Sequence, residues 1–306
     1  MRKLFVVFIA LATLYTAANS QSLTRLANDK KYVIPFQLTE HNNWSVAVVI
    51  NNKDSLHLML HTAVSDVNLT TEAVKHMSSL QFQRTDSVKS WGGNGNTSRF
   101  SADNFMQLAG MSWQHVQIWE DENSGQQTDG KFGLNLFADR VVEIDFDEQQ
   151  ITISKELPRK VRKYQQLKLF FENDNLFVEM ACNTGAGIVQ NKFLLHSGYA
   201  GSLLFDDKFA AENKLGDALA ITGEKQLKDS YGHVLKVKRA TLPSLLIGSA
   251  KLDSVPVGFF EGAIGRQKLS VVGGDLLKRF NIIIDAKREY IYLKPNHLKN
   301  SNYLNV

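Results

Sequence analysis

The chain has 306 residues, of which 43% are apolar, enough for two lobes that each bury a core of their own. The formal net charge of +4, or +2 without Arg2 and Lys3, is too close to neutral to indicate a nucleic-acid-binding protein. Because Cys182 is the one cysteine, the chain can form no internal disulfide.

The first twenty residues have the pattern of a secretory signal peptide. Arg2 and Lys3 precede an apolar run over residues 4–18, and small residues precede Gln21. This run is short for a transmembrane helix, and no later segment is apolar enough for one. We therefore expect residues 1–20 to be cleaved and the rest to be exported to a periplasmic or extracellular compartment, with no membrane span. The lack of disulfides favours a bacterial periplasm.

From about Val33 onwards, β-branched and aromatic residues broken by Gly, Asn and Asp predict strands rather than long helices. A short helix is expected at residues 71–79, because hydroxyl residues open it and Glu72 lies in its first turn. Gly-rich residues 90–95 predict a hairpin tip that carries Trp91. The strands expected in the first half are residues 44–50, 56–60, 105–108, 116–119, 141–146 and 150–153.

The second half repeats this order of elements. Strands are expected at residues 176–180 and 188–195, around a turn at 183–187, and Asp206 is expected to cap a helix that ends near Asn213. The segment Ser-Tyr-Gly at 230–232 lies 140 residues beyond Ser-Trp-Gly at 90–92. Leu-Asn-Leu at 134–136 and Gly-Asp-Leu at 274–276 have the same spacing.

Two apolar runs end in the same pattern of a histidine, a hydroxyl residue, a small residue and a turn. They are LMLHTA at residues 58–63 and FLLHSG at residues 193–198, which places His61 and His196 135 residues apart. Repeats of this length are too long for a solenoid. The sequence therefore predicts two β-rich lobes, residues 21–157 and 171–306. The linker between them, residues 158–170, contains a basic cluster that we interpret as solvated rather than as a binding patch.

These motifs resemble those of the pepsin and retropepsin superfamily of aspartic proteases, most closely its bacterial exported members. The matching segments are residues 193–204 (FLLHSGYAGSLL) and 271–280 (VVGGDLLKRF), with weaker copies at 58–63 and 129–135 (DGKFGLN). Both motifs occur twice and in order, so the resemblance covers nearly all of the chain after the signal peptide. It implies an all-β, two-lobed acid-protease fold from an internal duplication, with short helices and a peptide cleft under a hairpin flap.

The resemblance also assigns positions around that cleft. The flap corresponds to Trp91, Gly92 and Gly93, and Trp91 either covers bound peptide or packs on its own lobe. Thr62 and Ser197 keep the hydroxyls that hydrogen-bond across the two turns in the family. Gly198 keeps the glycine of the second turn, whereas Ala63 adds a Cβ to the first turn and is expected to reshape it slightly.

The catalytic positions depart from the family, which has an aspartate where this chain has His61 and His196. In the family, two close carboxylates share a proton, so that one polarises water while the other donates to the substrate. Asn-Thr-Gly at 183–185 resembles the Asp-Thr-Gly motif of the family but lies in a predicted hairpin turn. By the resemblance, Asp66, Asp129 and Asp275 lie away from the pair, in turn or capping roles.

The histidine pair is open to three interpretations. In the first, the two side chains are hydrogen-bonded remnants that catalyse nothing. In the second, the imidazoles replace the carboxylates as acid and base, although their nitrogens project differently. In the third, they bind a metal, which requires a third ligand. His57 is roughly 13 Å along the strand from His61, and His115 and His233 have no predicted position.

We therefore predict an exported, catalytically inactive protease-like protein that uses no cofactor and binds an extended peptide between its lobes. The alternative is an active hydrolase that uses the His61 and His196 pair, or a metal held by it.

Overall fold

The computed structural model describes residues 30–90, 93–228, 230–231, 234–260 and 267–304. The predicted signal peptide and its cleavage site lie outside the described residues. Strands predominate, and the α-helices of the described part have four to six residues each. Within these ranges, no helix has the length and apolar character needed to cross a membrane.

The first half contains eleven strands and one α-helix within the described residues. They are β1 (Tyr32–Pro35), β2 (Gln37–Leu38), β3 (Trp44–Ile50), β4 (Asp54–His61), β5 (Val67–Thr70), α1 (Thr71–His76), β6 (Arg84–Ser90), β7 (Gly93–Leu108), β8 (Met111–Asp121), β9 (Gly130–Gly133), β10 (Val141–Asp145) and β11 (Gln150–Ser154). A 3-10 turn, Leu134–Phe137, follows β9.

The second half repeats the eleven strands in the same order. They are β12 (Gln165–Lys168), β13 (Phe170–Glu172), β14 (Asn175–Asn183), β15 (Ile188–His196), β16 (Leu203–Leu204), β17 (Ile221–Lys228), β18 (Val234–Ile247), β19 (Ala250–Phe259), β20 (Ser270–Gly273), β21 (Phe280–Ile284) and β22 (Tyr290–Pro295). The helices are α2 (Asp207–Glu212) and α3 (Leu215–Ala218), which follow β16, and α4 (Gly274–Leu277), which follows β20.

Each lobe is built on a closed barrel of six strands. In the first lobe the order is β3-β4-β9-β5-β8-β7, and pairing of β3 with β7 closes the ring. In the second lobe the order is β14-β15-β20-β16-β19-β18, and pairing of β14 with β18 closes it. Each strand of the first barrel corresponds to the strand eleven later, which confirms the predicted all-β fold of two duplicated lobes.

Apolar side chains at alternate positions of the strands fill the barrels, because successive side chains of a strand point to opposite faces. In β3, Trp44, Val46, Val48 and Ile50 are buried, whereas Ala47 is exposed. Buried apolar side chains such as these provide the main stabilisation of each lobe.

A third sheet joins the two halves, in the order β1-β11-β10-β21-β22-β12. Its central pairing is antiparallel and sets Val142 of β10 opposite Ile284 of β21. Each half contributes three strands. The segment expected to link the lobes contains a 3-10 turn, Arg159–Lys163, and then β12, which lies at the edge of this shared sheet.

The caps that the sequence indicates are present. The Thr70 hydroxyl accepts a hydrogen bond from the backbone N–H of Ala73 at 3.1 Å, and Asp206 accepts one from Phe209 at 2.7 Å. However, α1 is shorter than expected and ends at His76, because Met77 takes an extended conformation. The hairpin strands β7 and β8 are longer than the apolar segments from which they were predicted.

Candidate functional site

The two histidines lie at equivalent points of the two barrels. His61 ends β4 and is paired with Gly133 of β9, and His196 ends β15 and is paired with Gly273 of β20. Both pairings are parallel. A Cβ at Gly133 would overlap the carbonyl oxygen of Val64, because the turn after His61 folds back onto β9. The equivalent overlap occurs at Gly273, so both turns need a glycine beneath them.

Reciprocal hydrogen bonds join the two turns. The N–H of Thr62 donates to the hydroxyl of Ser197, and the N–H of Ser197 donates to the hydroxyl of Thr62, both at 3.0 Å. The hydroxyl of Thr62 also donates to the carbonyl oxygen of Leu195 at 2.6 Å, and that of Ser197 donates to the carbonyl oxygen of Leu60 at 2.8 Å. Each hydroxyl is therefore both donor and acceptor, and the buried network holds the turns together without any charge.

The two imidazole rings contact each other, with centroids 4.6 Å apart and planes at 64°. His61 is 6% exposed, and its ring packs so closely on Gly198 that a Cβ there would overlap Nε2. The N–H of Ala63 donates to Nδ1 of His61 at 3.1 Å, so the neutral ring carries its proton on Nε2. His196 is half-buried, and none of the described residues hydrogen-bonds its Nδ1.

Burial makes both rings neutral at physiological pH. It lowers the pKa of His61 well below the ordinary value, and the neighbouring His196 and Lys131 lower it further. Burial also lowers the pKa of His196 to about 4, with a smaller contribution from the positive charge of Lys131. The site is therefore a pair of uncharged imidazoles rather than a pair of acids.

Lys131 of β9 is a site residue that the sequence did not reveal. It is paired with Met59 in the register that pairs Gly133 with His61, so its side chain leaves the sheet on the same face as His61. Lys131 is buried, and its Nζ lies 2.7 Å from the Asp121 carboxylate. The signal in the sequence was a lone cation inside the segment DGKFGLN, but only the pairing of β9 with β4 shows which way it points.

A second polar cluster links the lobes next to the Ser197 turn. The Asn42 side chain donates to the carbonyl oxygen of Ala200 at 2.8 Å and accepts from Lys278 at 3.0 Å. Lys278 also lies 2.7 Å from the carboxylate of Asp275, which accepts a further hydrogen bond from Ser202. This fully buried carboxylate is engaged by residues of its own lobe.

Several other acidic and imidazole side chains have partners or positions of their own. The carboxylate of Asp129 accepts from the backbone N–H of His57, which is itself exposed. Asp66 is half-buried in the turn after His61, where burial raises its pKa. His115 is exposed and pairs with Asp103.

Some residues of the predicted flap and of the possible metal site lie outside the described residues. Trp91 and Gly92 lie outside the described residues, and the backbone of Gly93 is paired with Ser90 at the end of the β6–β7 hairpin. His233 also lies outside them. In the ranges that the structure describes, no three side chains of the His, Cys, Asp and Glu types are grouped to hold a metal ion.

The architecture has a counterpart among solved structures. An aspartic proteinase from Irpex lacteus matches with a TM-score of 0.59 and 12% sequence identity, over 90% of this chain and 100% of that chain. This likeness shows a two-lobed, pepsin-like fold. No protein-family model matches the sequence, and no curated protein matches it.

Proposed function

We propose that this chain is an exported, catalytically inactive protein of pepsin-like fold that binds an extended peptide between its lobes. The observation that carries the proposal is the pair of neutral imidazoles, with His61 buried and His196 half-buried, at the ends of β4 and β15. The resemblance implies a carboxylate at each of these points. An aspartic mechanism needs them to share a proton, and this chain has none there.

The lowered pKa values of the two histidines argue against hydrolysis by the histidines themselves. A general acid or base works best when its pKa is near the working pH. With a pKa of about 4, His196 is a weak base, and near pH 7 it is not in the imidazolium form that could act as a general acid. The pKa of His61 is also far below neutral, and its Nδ1 is occupied by the N–H of Ala63.

The parts that would hold a peptide are retained. Both barrels are closed, the Thr62 and Ser197 network fixes the turns, and strands β6 and β7 pair as a hairpin in the first lobe. A chain lying between two such lobes would be held by strand-like backbone hydrogen bonds, which require no catalytic residue.

The test is binding of purified protein to an unbiased peptide library, read by calorimetry on the enriched sequences. We expect dissociation constants in the micromolar range and no cleavage of the bound peptides. A library that yields no peptide of this affinity would refute the binding role. Proteolysis by the wild-type chain that disappears in His61→Ala or His196→Ala would refute inactivity.

Restoring the carboxylates tests the scaffold separately. His61→Asp combined with His196→Asp is expected to give weak cleavage at acidic pH, because the hydrogen bonds between the turns are intact. The matched control is His61→Asn with His196→Asn, which has similar shape but no acid. Equal cleavage by both double variants would show that the activity does not come from the restored pair.

Metal binding is the second candidate, since Nδ1 of His196 has no hydrogen-bond partner among the described residues. Two histidines are fewer ligands than protein zinc sites use. Stoichiometric zinc in the purified protein that is lost in His61→Ala would favour this candidate.

Export is tested by fractionation of cells that produce the full chain. We expect the exported protein to begin near Gln21.

A further inference from the structure

Ser230 and Tyr231, the two described residues between β17 and β18, contact the first lobe. The carbonyl oxygen of Ser230 accepts a hydrogen bond from the N–H of Asn123 at 2.9 Å. The hydroxyl of Tyr231 donates to the carboxylate of Asp121 at 3.2 Å, and the ammonium of Lys131 donates to the hydroxyl of Ser230 at 3.3 Å. Three first-lobe residues therefore bind two adjacent residues that follow them by about a hundred positions.

The groups that receive these two residues are buried and charged. The side chains of Lys131 and Asp121 are 10% and 3% exposed and form an ion pair. Asn68 donates to the same carboxylate at 3.3 Å. Because buried charges need several polar partners, Ser230 and Tyr231 supply part of the set that keeps this pair inside the protein.

The contact involves the face of the first-lobe sheet that carries His61. Lys131, Met59 and His61 leave the sheet of the first lobe on one face, which looks towards Gly198 of the second lobe. The positive charge of Lys131 is close enough to lower the pKa of both histidines. Ser230 therefore contacts the first lobe through a side chain that leaves the sheet on the same face as His61.

We propose that Ser230 and Tyr231 form a strap, which closes one side of the interlobe space and must release before a ligand reaches the histidine pair. The strap is held by hydrogen bonds rather than by a covalent link, so it can open locally while both barrels stay folded. The effect that we assign to the strap, control of peptide entry to this site, rests on the proposed function.

The first measurement needs no peptide. Carbethoxylation of His61 and His196 by diethylpyrocarbonate at pH 7 is followed by mass spectrometry in wild type and in Ser230→Ala with Tyr231→Phe. Each lost hydrogen bond shifts an equilibrium by up to about tenfold. We expect both histidines to react about tenfold faster in the double variant. Tyr290→Phe, at an exposed position on β22, is the matched control and should react as wild type does.

The second measurement is the association rate of a library-selected peptide, which should rise in the double variant. Faster histidine modification without peptide binding by any form supports the strap and refutes the proposed function. Unchanged histidine modification in the folded double variant refutes the strap. Unchanged modification with weaker peptide binding also refutes it, because the two residues would then belong to the binding surface.

Discussion

The two histidine turns share a backbone but hold their rings differently. His61 is buried, accepts from the N–H of Ala63 and lies against Gly198. His196 is more exposed, and no described residue hydrogen-bonds its Nδ1. The residue after each hydroxyl explains part of the difference. Gly198 leaves room for the His61 ring, whereas the Cβ of Ala63 packs against an apolar cluster of the second lobe that includes Leu194.

The comparison shows that the two halves share the main chain and the network between the turns, whereas the environment of each imidazole depends in part on one small side chain. The fold therefore does not make the two histidines chemically equivalent. His61 has a fixed tautomer, whereas Nδ1 of His196 is buried and has no hydrogen-bond partner among the described residues.

The largest effect that we expect is a dependence of stability on pH. The pKa of His196 is about 4 in the folded chain and about 6.5 when unfolded, so the unfolded chain takes up the proton first as the pH falls. The free energy of unfolding should therefore decrease between pH 6.5 and pH 4, by about 3 kcal/mol from His196, and this contribution should level off below pH 4. Above pH 6.5 both states are neutral, and the contribution vanishes.

Urea unfolding at several pH values, in wild type and in single His→Gln variants, separates the two turns. Because the pKa of His61 is also strongly lowered, His61→Gln and His196→Gln should each flatten the profile. Carboxylates elsewhere titrate equally in all three proteins. A slope that both variants leave unchanged would show that the rings are not buried as neutral groups.

The next effect concerns the network that the turns share. Thr62→Val keeps the shape of the side chain but leaves the carbonyl oxygen of Leu195 and the N–H of Ser197 buried without a partner. We expect a loss of about 2–3 kcal/mol in the free energy of unfolding. Ser197→Ala removes the equivalent bonds and should cost a similar amount, in contrast to the unequal histidines. Thr62→Ser retains the hydroxyl, and a loss as large as that of Thr62→Val would contradict this explanation.

Much of this arrangement was predictable from the sequence. The duplication, the bounds of β3 and the caps at Thr70 and Asp206 follow from local patterns that recur in both halves. Both histidines could be placed at strand ends, since each precedes a hydroxyl residue and a small residue. The role of Trp91 in covering a peptide stays a prediction.

The contacts between the lobes were not predictable, because they depend on how distant strands pair. Lys131 faces His61 only because β9 joins β4 in parallel register, and the sequence shows no more than a cation between apolar residues. The sequence places Tyr231 in the counterpart of the Ser-Trp-Gly segment, but its partner Asp121 could be identified only from the contact between the two lobes. Likewise, nothing local indicates that the His61 ring lies over Gly198.

The smallest effect tests that last contact. Gly198→Ala places a methyl group where the His61 ring lies, and displacing the ring should cost about 2 kcal/mol in the free energy of unfolding. In a His61→Ala background the same substitution should cost much less, and the difference between the two values measures the contact itself. Ala63→Gly, the reverse change in the other turn, creates no overlap and should cost no more than about 1 kcal/mol through chain entropy. An equal cost of Gly198→Ala in both backgrounds would mean that the second turn requires glycine for its own backbone, and that the asymmetry of the rings has another origin.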